Sequence, residues 1–210
     1  MNVLILAPHT DDIEFGCGGT VAKLLEEGAE VFGAIFSRCQ ASVPEGFPED
    51  ALYQEAKKAA KVLGLKAENL TIKDYPVRDF PSYRQDILEF LITLKEKVQP
   101  SIILCPSSKD VHQDHKVIFE EAQRAFKDKS IIGYEFPWNY FEAPTMNYFV
   151  KLEERHVNRK VEAIQEYETQ KHLDRSYTEK AFIEGHARYR GMQVKASYAE
   201  AFEMIRWIRE

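Results

Sequence analysis

Alternation is the feature that most constrains this fold. Short continuous apolar runs take turns with segments of helical period across the first 125 or so residues. The runs are "NVLILA" (2–7), "EVFGAIF" (30–36), "NLTIKDY" (69–75) and "PSIILCPSS" (100–108). Their aliphatic, β-branched content without polar alternation predicts strands buried on both faces, as in a parallel sheet. The helical segments are "GGTVAKLLEEG" (18–28), 51–64, 82–98 and 115–126. The first spaces Val21, Leu24 and Leu25 along one face and ends on Gly28 as a cap. The third opens on Ser82 as a cap and keeps Ile87, Phe90, Leu91 and Leu94 together. This order implies right-handed crossovers and an α/β fold with a doubly wound parallel sheet.

Past residue 126 the grammar changes. "SIIGYEFP" (130–137) and "MNYFVKL" (146–152) predict strands, and 156–171 and 178–191 predict helices. Residues 199–208 fit a last strand or a helix. No linker marks a second domain, so 1–210 reads as one domain. A net charge of −6 disfavours nucleic acid as a partner and suits a small neutral or weakly charged substrate. Cys17, Cys39 and Cys105 are odd in number and widely spaced, which points to a reducing cytoplasm rather than a disulfide framework. No run approaches the roughly 18 apolar residues of a membrane span, so no membrane partner is expected. A homo-oligomer is compatible with the sequence.

Two polar clusters follow buried strands. "PHTDD" (8–12) places His9, Asp11 and Asp12 just past the first run. "VHQDH" (111–115) places His112, Asp114 and His115 past the fourth. Ligands of open parallel sheets bind outside the carboxyl ends of the strands, so the two loops can converge. Two His with one carboxylate are a common zinc set, which leaves a position for a water whose pKa the ion lowers to about 7. The spare carboxylate and imidazole suit a general base and an oxyanion donor. Taken singly, either cluster reads more readily as a helix cap or turn than as a site. Their pairing after two parallel strands favours a site.

These residues resemble a family. "PHTDDIEFGCGGT" (8–20) is similar to the PHPDDE-x-x-G-C-G-G-T signature of the LmbE-like, or PIG-L, deacetylases. "HQDH" (112–115) resembles their second motif, and "YETQ" (167–170), "ARYRG" (187–191) and "YAEAF" (198–202) resemble further segments. The resemblance implies a Rossmann-like three-layer α/β/α sandwich and a zinc-dependent enzyme that removes an N-acyl group from an amino sugar or its conjugate. It implies His9, Asp12 and His115 as zinc ligands and Asp11 as general base. It implies a protonated His112, held by Asp114, as oxyanion stabiliser. Gly16, Gly18 and Gly19 would permit close backbone approach beneath the site. Spacing agrees, since His9 and Asp12 lie one turn apart and Asp11 points elsewhere.

The sequence departs from the family at three places. Thr10 replaces a frequent Pro. Ile13 replaces an acid, with Glu14 one position later. Leu52 and Tyr53 stand where many members carry a substrate-binding Arg, for which Arg38 or Arg78 would substitute. The expected reaction is N-acetyl removal from an amino sugar or conjugate. An amidase acting on a thiol or other small-molecule conjugate is the alternative. A non-catalytic sugar- or nucleotide-binding module is disfavoured, because "GCGGTV" lacks the third Gly of a dinucleotide loop. His156, His172 and His186 are expected to be structural or solvated. Cys17 is expected to pack as a small apolar residue. "YEFPWNYF" (134–141) fits core, subunit interface or a sugar-stacking face, and Arg188 and Arg190 fit paired charges.

Overall fold

Strand β1 (Asn2–Ala7) accounts for a sheet covered on both faces. Its period of two sends Val3, Ile5 and Ala7 into one apolar core and Leu4 and Leu6 into a second. In the computed structural model, which describes residues 1–209, seven strands form one sheet in the order β3-β2-β1-β4-β5-β7-β6. Strands β2 (Glu30–Ile35), β3 (Leu70–Ile72), β4 (Ile102–Pro106) and β5 (Ser130–Tyr134) are parallel to β1. Strand β7 (Tyr198–Arg206) runs antiparallel to both its neighbours, β5 and β6 (Tyr148–Leu152).

Helices α1 (Asp12–Glu26), α2 (Ala51–Leu63) and α5 (Glu154–Ile164) pack together on one face. Helices α3 (Arg84–Val98) and α4 (Gln113–Ala125) cover the other. Short α6 (Glu168–His172) and α7 (Lys180–Gln193) complete the first layer. The expected three-layer, mostly parallel α/β architecture is therefore the observed one. No helix among the described residues is long and apolar enough to cross a membrane.

Four local expectations need correction. Helix α1 begins at Asp12 rather than Gly18, because a first helical turn precedes the kink at Cys17. The predicted helix over 156–171 is two helices, because the chain turns at 165–167 and buries Tyr167. Ser82 caps nothing on α3; it lies in a 3-10 turn and donates to Asp79 Oδ1 at 2.7 Å. The ambiguous last segment is strand β7.

Helix α1 is bent at Cys17, whose φ of −151° and ψ of 21° break the helical ladder. The amides of Gly19 and Thr20 donate instead to Glu200 on β7, at 3.1 and 2.6 Å. Lys160 on α5 neutralises Glu200 at 2.7 Å and donates to the Phe15 carbonyl at 2.8 Å. A Cβ on Gly16 would stand 2.5 Å from the Tyr134 ring, and one on Gly19 would stand 2.6 Å from Leu152. Only glycine lets the bent helix sit this close to the sheet. Cys17 is buried and its thiol is held well above its ordinary pKa by burial, then by Glu200, in keeping with a packing role.

Candidate metal centre

Strand order reverses between β1 and β4, which are paired in parallel, so their carboxyl ends open on one crevice. That adjacency brings the two polar loops together across about a hundred residues of chain. His9 Nδ1 lies 3.2 Å from His115 Nε2 and 3.5 Å from Asp12 Oδ2. His115 Nε2 lies 3.4 Å from the same Asp12 oxygen. Bonds of about 2.0–2.1 Å in a tetrahedron place donors roughly 3.3–3.4 Å apart, so this triangle could hold a zinc ion on three corners. Asp12 Oδ2 is anchored by the His9 backbone N–H at 2.7 Å.

Both histidines turn their remaining nitrogen to a buried carboxylate. His9 Nε2 meets Asp114 Oδ2 at 2.9 Å, and His115 Nδ1 meets Asp110 Oδ2 at 2.7 Å. Such contacts fix tautomer and ring orientation and leave the other nitrogen free for an ion. Asp114 also accepts the backbone N–H groups of Arg78 at 2.6 Å and Phe80 at 3.2 Å. Burial works against its ionisation, but His9 and these two amides hold its pKa below the usual carboxylate value.

His112 stands apart from this pattern. Its ring packs 4.7 Å from that of His9 and 4.9 Å from that of His115, so the three imidazoles form a second possible donor group. Its Nδ1, however, accepts the backbone N–H of Asp114 at 3.2 Å. In a neutral ring the proton is then on Nε2, which makes that nitrogen a donor rather than a ligand. Burial, with His9 and His115 beside it, pushes the His112 pKa down to about 4. Both influences work against the protonated form that the resemblance implies. The expected Asp114 carboxylate support belongs to His9, and His112 receives only the backbone of Asp114.

Asp11 is the N-cap residue of α1, but its side chain caps none of the helix's amides, and it lines the cavity. Burial and the adjacent Asp12 push its pKa up to about 6, against opposing pulls from His9 and Arg175. Glu14 lies outside the cavity lining and accepts the Tyr167 hydroxyl at 3.1 Å; burial raises its pKa to about 8.

The cavity measures about 360 Å³. Trp138 and Tyr177 stack along one wall, with centroids 4.4 Å apart and planes 8° apart, and Phe15 meets both edge-on. Gln170 is buried in the lining with its Oε1 unpartnered. Of the two arginines expected at the substrate, Arg78 lines the cavity. Arg38 does not; its guanidinium lies 5.0 Å over the Tyr53 ring. The aromatic stretch divides: Phe136 and Trp138 face the cavity, Tyr134 is buried, and Phe141 is exposed.

His156, His172 and His186 lie outside the cavity, beside Glu26, Phe47 and Glu135. Arg190 forks Glu135 at 2.7 and 2.5 Å and is a paired charge, whereas Arg188 lies over the Tyr198 ring and donates to its hydroxyl at 2.9 Å. Sequence reasoning missed Asp110, Gln170, Arg175 and Tyr177. For Asp110 the one available signal is a carboxylate five residues before His115 in the same loop.

The fold and this crevice define a class: a doubly wound α/β protein with a candidate His/Asp metal centre where its strand order reverses. A sequence model described as PIG-L, GlcNAc-PI de-N-acetylase, matches residues 4–126, and the chain belongs to that family. The diacetylchitobiose deacetylase of Thermococcus kodakarensis is 30% identical over 122 residues, 54% of this chain; the match spans only 45% of that protein's length. The 4-oxalmesaconate hydratase of Pseudomonas putida is 25% identical over 233 residues, 97% of this chain and 89% of its own. In fold, the chain is similar to a conserved Thermus thermophilus protein of known crystal structure. That likeness has a TM-score of 0.79 at 23% identity and covers 99% of this chain and 96% of that one.

Proposed function

We propose that this protein is a zinc-dependent hydrolase that removes the N-acetyl group of an amino sugar or its conjugate, acting as one domain in the cytoplasm. The observation that carries the reading is the His9–Asp12–His115 triangle, with edges of 3.2–3.5 Å and Asp11 left free beside it. Membership of a de-N-acetylase family and the T. kodakarensis relative support the reaction type. The three free, buried cysteines support a reducing compartment.

A divalent ion held by His9 Nδ1, Asp12 Oδ2 and His115 Nε2 would polarise the acetamide carbonyl and acidify the attacking water. Asp11 takes the water's proton as the new C–O bond forms. It returns that proton to the nitrogen as the C–N bond breaks, releasing acetate and a free amine. His112 donates its Nε2–H to the carbonyl oxygen as negative charge builds there. The Trp138–Tyr177 wall offers an apolar face to the sugar ring, and Gln170 Oε1 accepts from one of its hydroxyls.

Two measurements test this. Protein purified without added metal should carry about one zinc per chain, and it should release acetate from members of a panel of N-acetyl sugars and their nucleotide conjugates. Protein with no transition metal and no activity restored by zinc would falsify the reading. Zinc-loaded protein that leaves the whole panel intact but adds water to an unsaturated acid would instead behave like the hydratase relative.

A further inference from the structure

Gln170 is presented to the cavity by helix α6, which has only five residues. A helix that short has no stability of its own, so its placement comes from the groups that fasten it. Two fastenings flank Glu168. Tyr167, the residue before α6, is buried and donates its hydroxyl to the Thr10 carbonyl at 2.6 Å. Thr169 is also buried and is held by Glu55 of α2. Its backbone N–H donates to Glu55 Oε1 at 3.1 Å, and its hydroxyl donates to Oε2 at 2.6 Å.

Glu55 is buried, and among the described residues no cation pairs with it. Burying a carboxylate is unfavourable, and an apolar side chain of similar size would fill the place more readily. Both of its hydrogen bonds go to one residue, Thr169, directly before Gln170. Packing gives no account of an acid at this position, whereas orientation of the turn does. Tyr167 acts on the other side of the cavity. The Thr10 carbonyl and the Asp11 amide share one planar peptide unit, so a hydrogen bond to that carbonyl fixes the plane from which Asp11 projects. The Asp11 side chain caps no amide of its own helix, so nothing in α1 steadies it instead.

We propose that Tyr167 and Glu55 are positioning residues of this site: Tyr167 orients the Asp11 base through the Thr10 peptide plane, and Glu55 orients Gln170 through Thr169. Neither lines the cavity, so each acts only through the residue it holds. The proposal rests on the N-deacetylase reading, in which Asp11 moves the proton and Gln170 accepts from the sugar. One turn, 167–170, thereby ties the base to the sugar contact.

The test is acetate release by zinc-loaded protein from the best substrate of the N-acetyl sugar panel. Tyr167→Phe should lower kcat about tenfold with KM held. Placed in Asp11→Asn, the same substitution should cost less than about twofold, because the base it acts through is gone. Glu55→Ala should raise KM about fivefold with kcat held, and should add less than about twofold to Gln170→Ala. Glu55→Gln keeps one acceptor oxygen for Thr169 and should recover part of the loss. Thr169→Val removes only the hydroxyl donor and stands in should Glu55→Ala fail to fold. Parent kinetics in the single variants, full additivity in the double ones, or losses shared equally between kcat and KM overturn the proposal.

If the parent protein leaves the whole panel intact, the deacetylase reading has failed, and crystal structures of zinc-loaded Tyr167→Phe and Glu55→Ala decide the placement separately. A turned Thr10–Asp11 peptide plane in the first and a displaced Gln170 in the second support the two positioning roles. A residue whose target stays unmoved loses its role.

Discussion

The loop after β1 turns Asp11 and Asp12 toward the cavity, whereas the loop after β4 turns both of its carboxylates, Asp110 and Asp114, onto imidazoles. One loop offers acids to ion and substrate; the other spends its acids on aiming histidines. The division follows from position. Asp11 and Asp12 begin a helix, where the N-terminal dipole favours negative charge at an open end. Asp114 sits under the 78–80 turn and collects two backbone amides, so its oxygens are fully engaged away from the cavity. Neither loop is sufficient alone, because the His9 of the first is oriented by the Asp114 of the second.

Asp11→Asn is the hardest test of this contrast. It should keep zinc yet lower kcat by about 10²–10⁴-fold, as expected when a positioned base is lost. Asp12→Asn should instead release zinc on dialysis, which metal analysis reads directly. Turnover by Asp11→Asn equal to that of the parent would remove the base assignment. His112→Ala comes next, with a loss of about 10²–10³-fold in kcat at constant zinc content.

A smaller effect is expected for the aiming carboxylates. Asp110→Asn and Asp114→Asn should each weaken zinc binding by about 10–100-fold in a chelator competition while leaving the chain folded. If only Asp110→Asn does so, the contact between the two loops contributes little. Smallest is Gln170→Ala, which should raise KM by about fivefold with kcat held, the scale of one ordinary hydrogen bond.

Much of this was legible before any coordinates. Strands β1, β2 and β4 are visible as apolar runs because both faces of the parallel sheet are buried there, whereas edge strand β3 is short and half-buried. The two His/Asp clusters are visible because each follows such a run. What stayed hidden depends on contacts distant in sequence. Helix α1 starts early because Glu200 accepts amides that a bend at Cys17 sets free, and nothing near "GCGG" announces Glu200. Strand β7 was ambiguous because Glu200 breaks the apolar pattern of its buried half, and Lys160 together with the Gly19 and Thr20 amides explains a carboxylate there. The helix predicted over 156–171 divides because Tyr167 reaches back to the Thr10 carbonyl at 2.6 Å. Asp110 was overlooked because its role depends on how one loop folds onto its own histidine. Asp114 was assigned to the nearer histidine, although the 78–80 turn and His9 are its actual partners.

The bend in α1 separates ancestry of function from ancestry of form. The stretch that matches the family, 4–126, contains every residue of the His/Asp cluster, while the side chains that brace the helix beneath it are Lys160 and Glu200. A fragment ending at residue 126 would keep all the chemistry and lose its foundation. Drift in the last third of the chain can therefore disturb the cluster without altering any member of it, and a surveyor of variants who inspects only the histidines and aspartates would not see why activity fell.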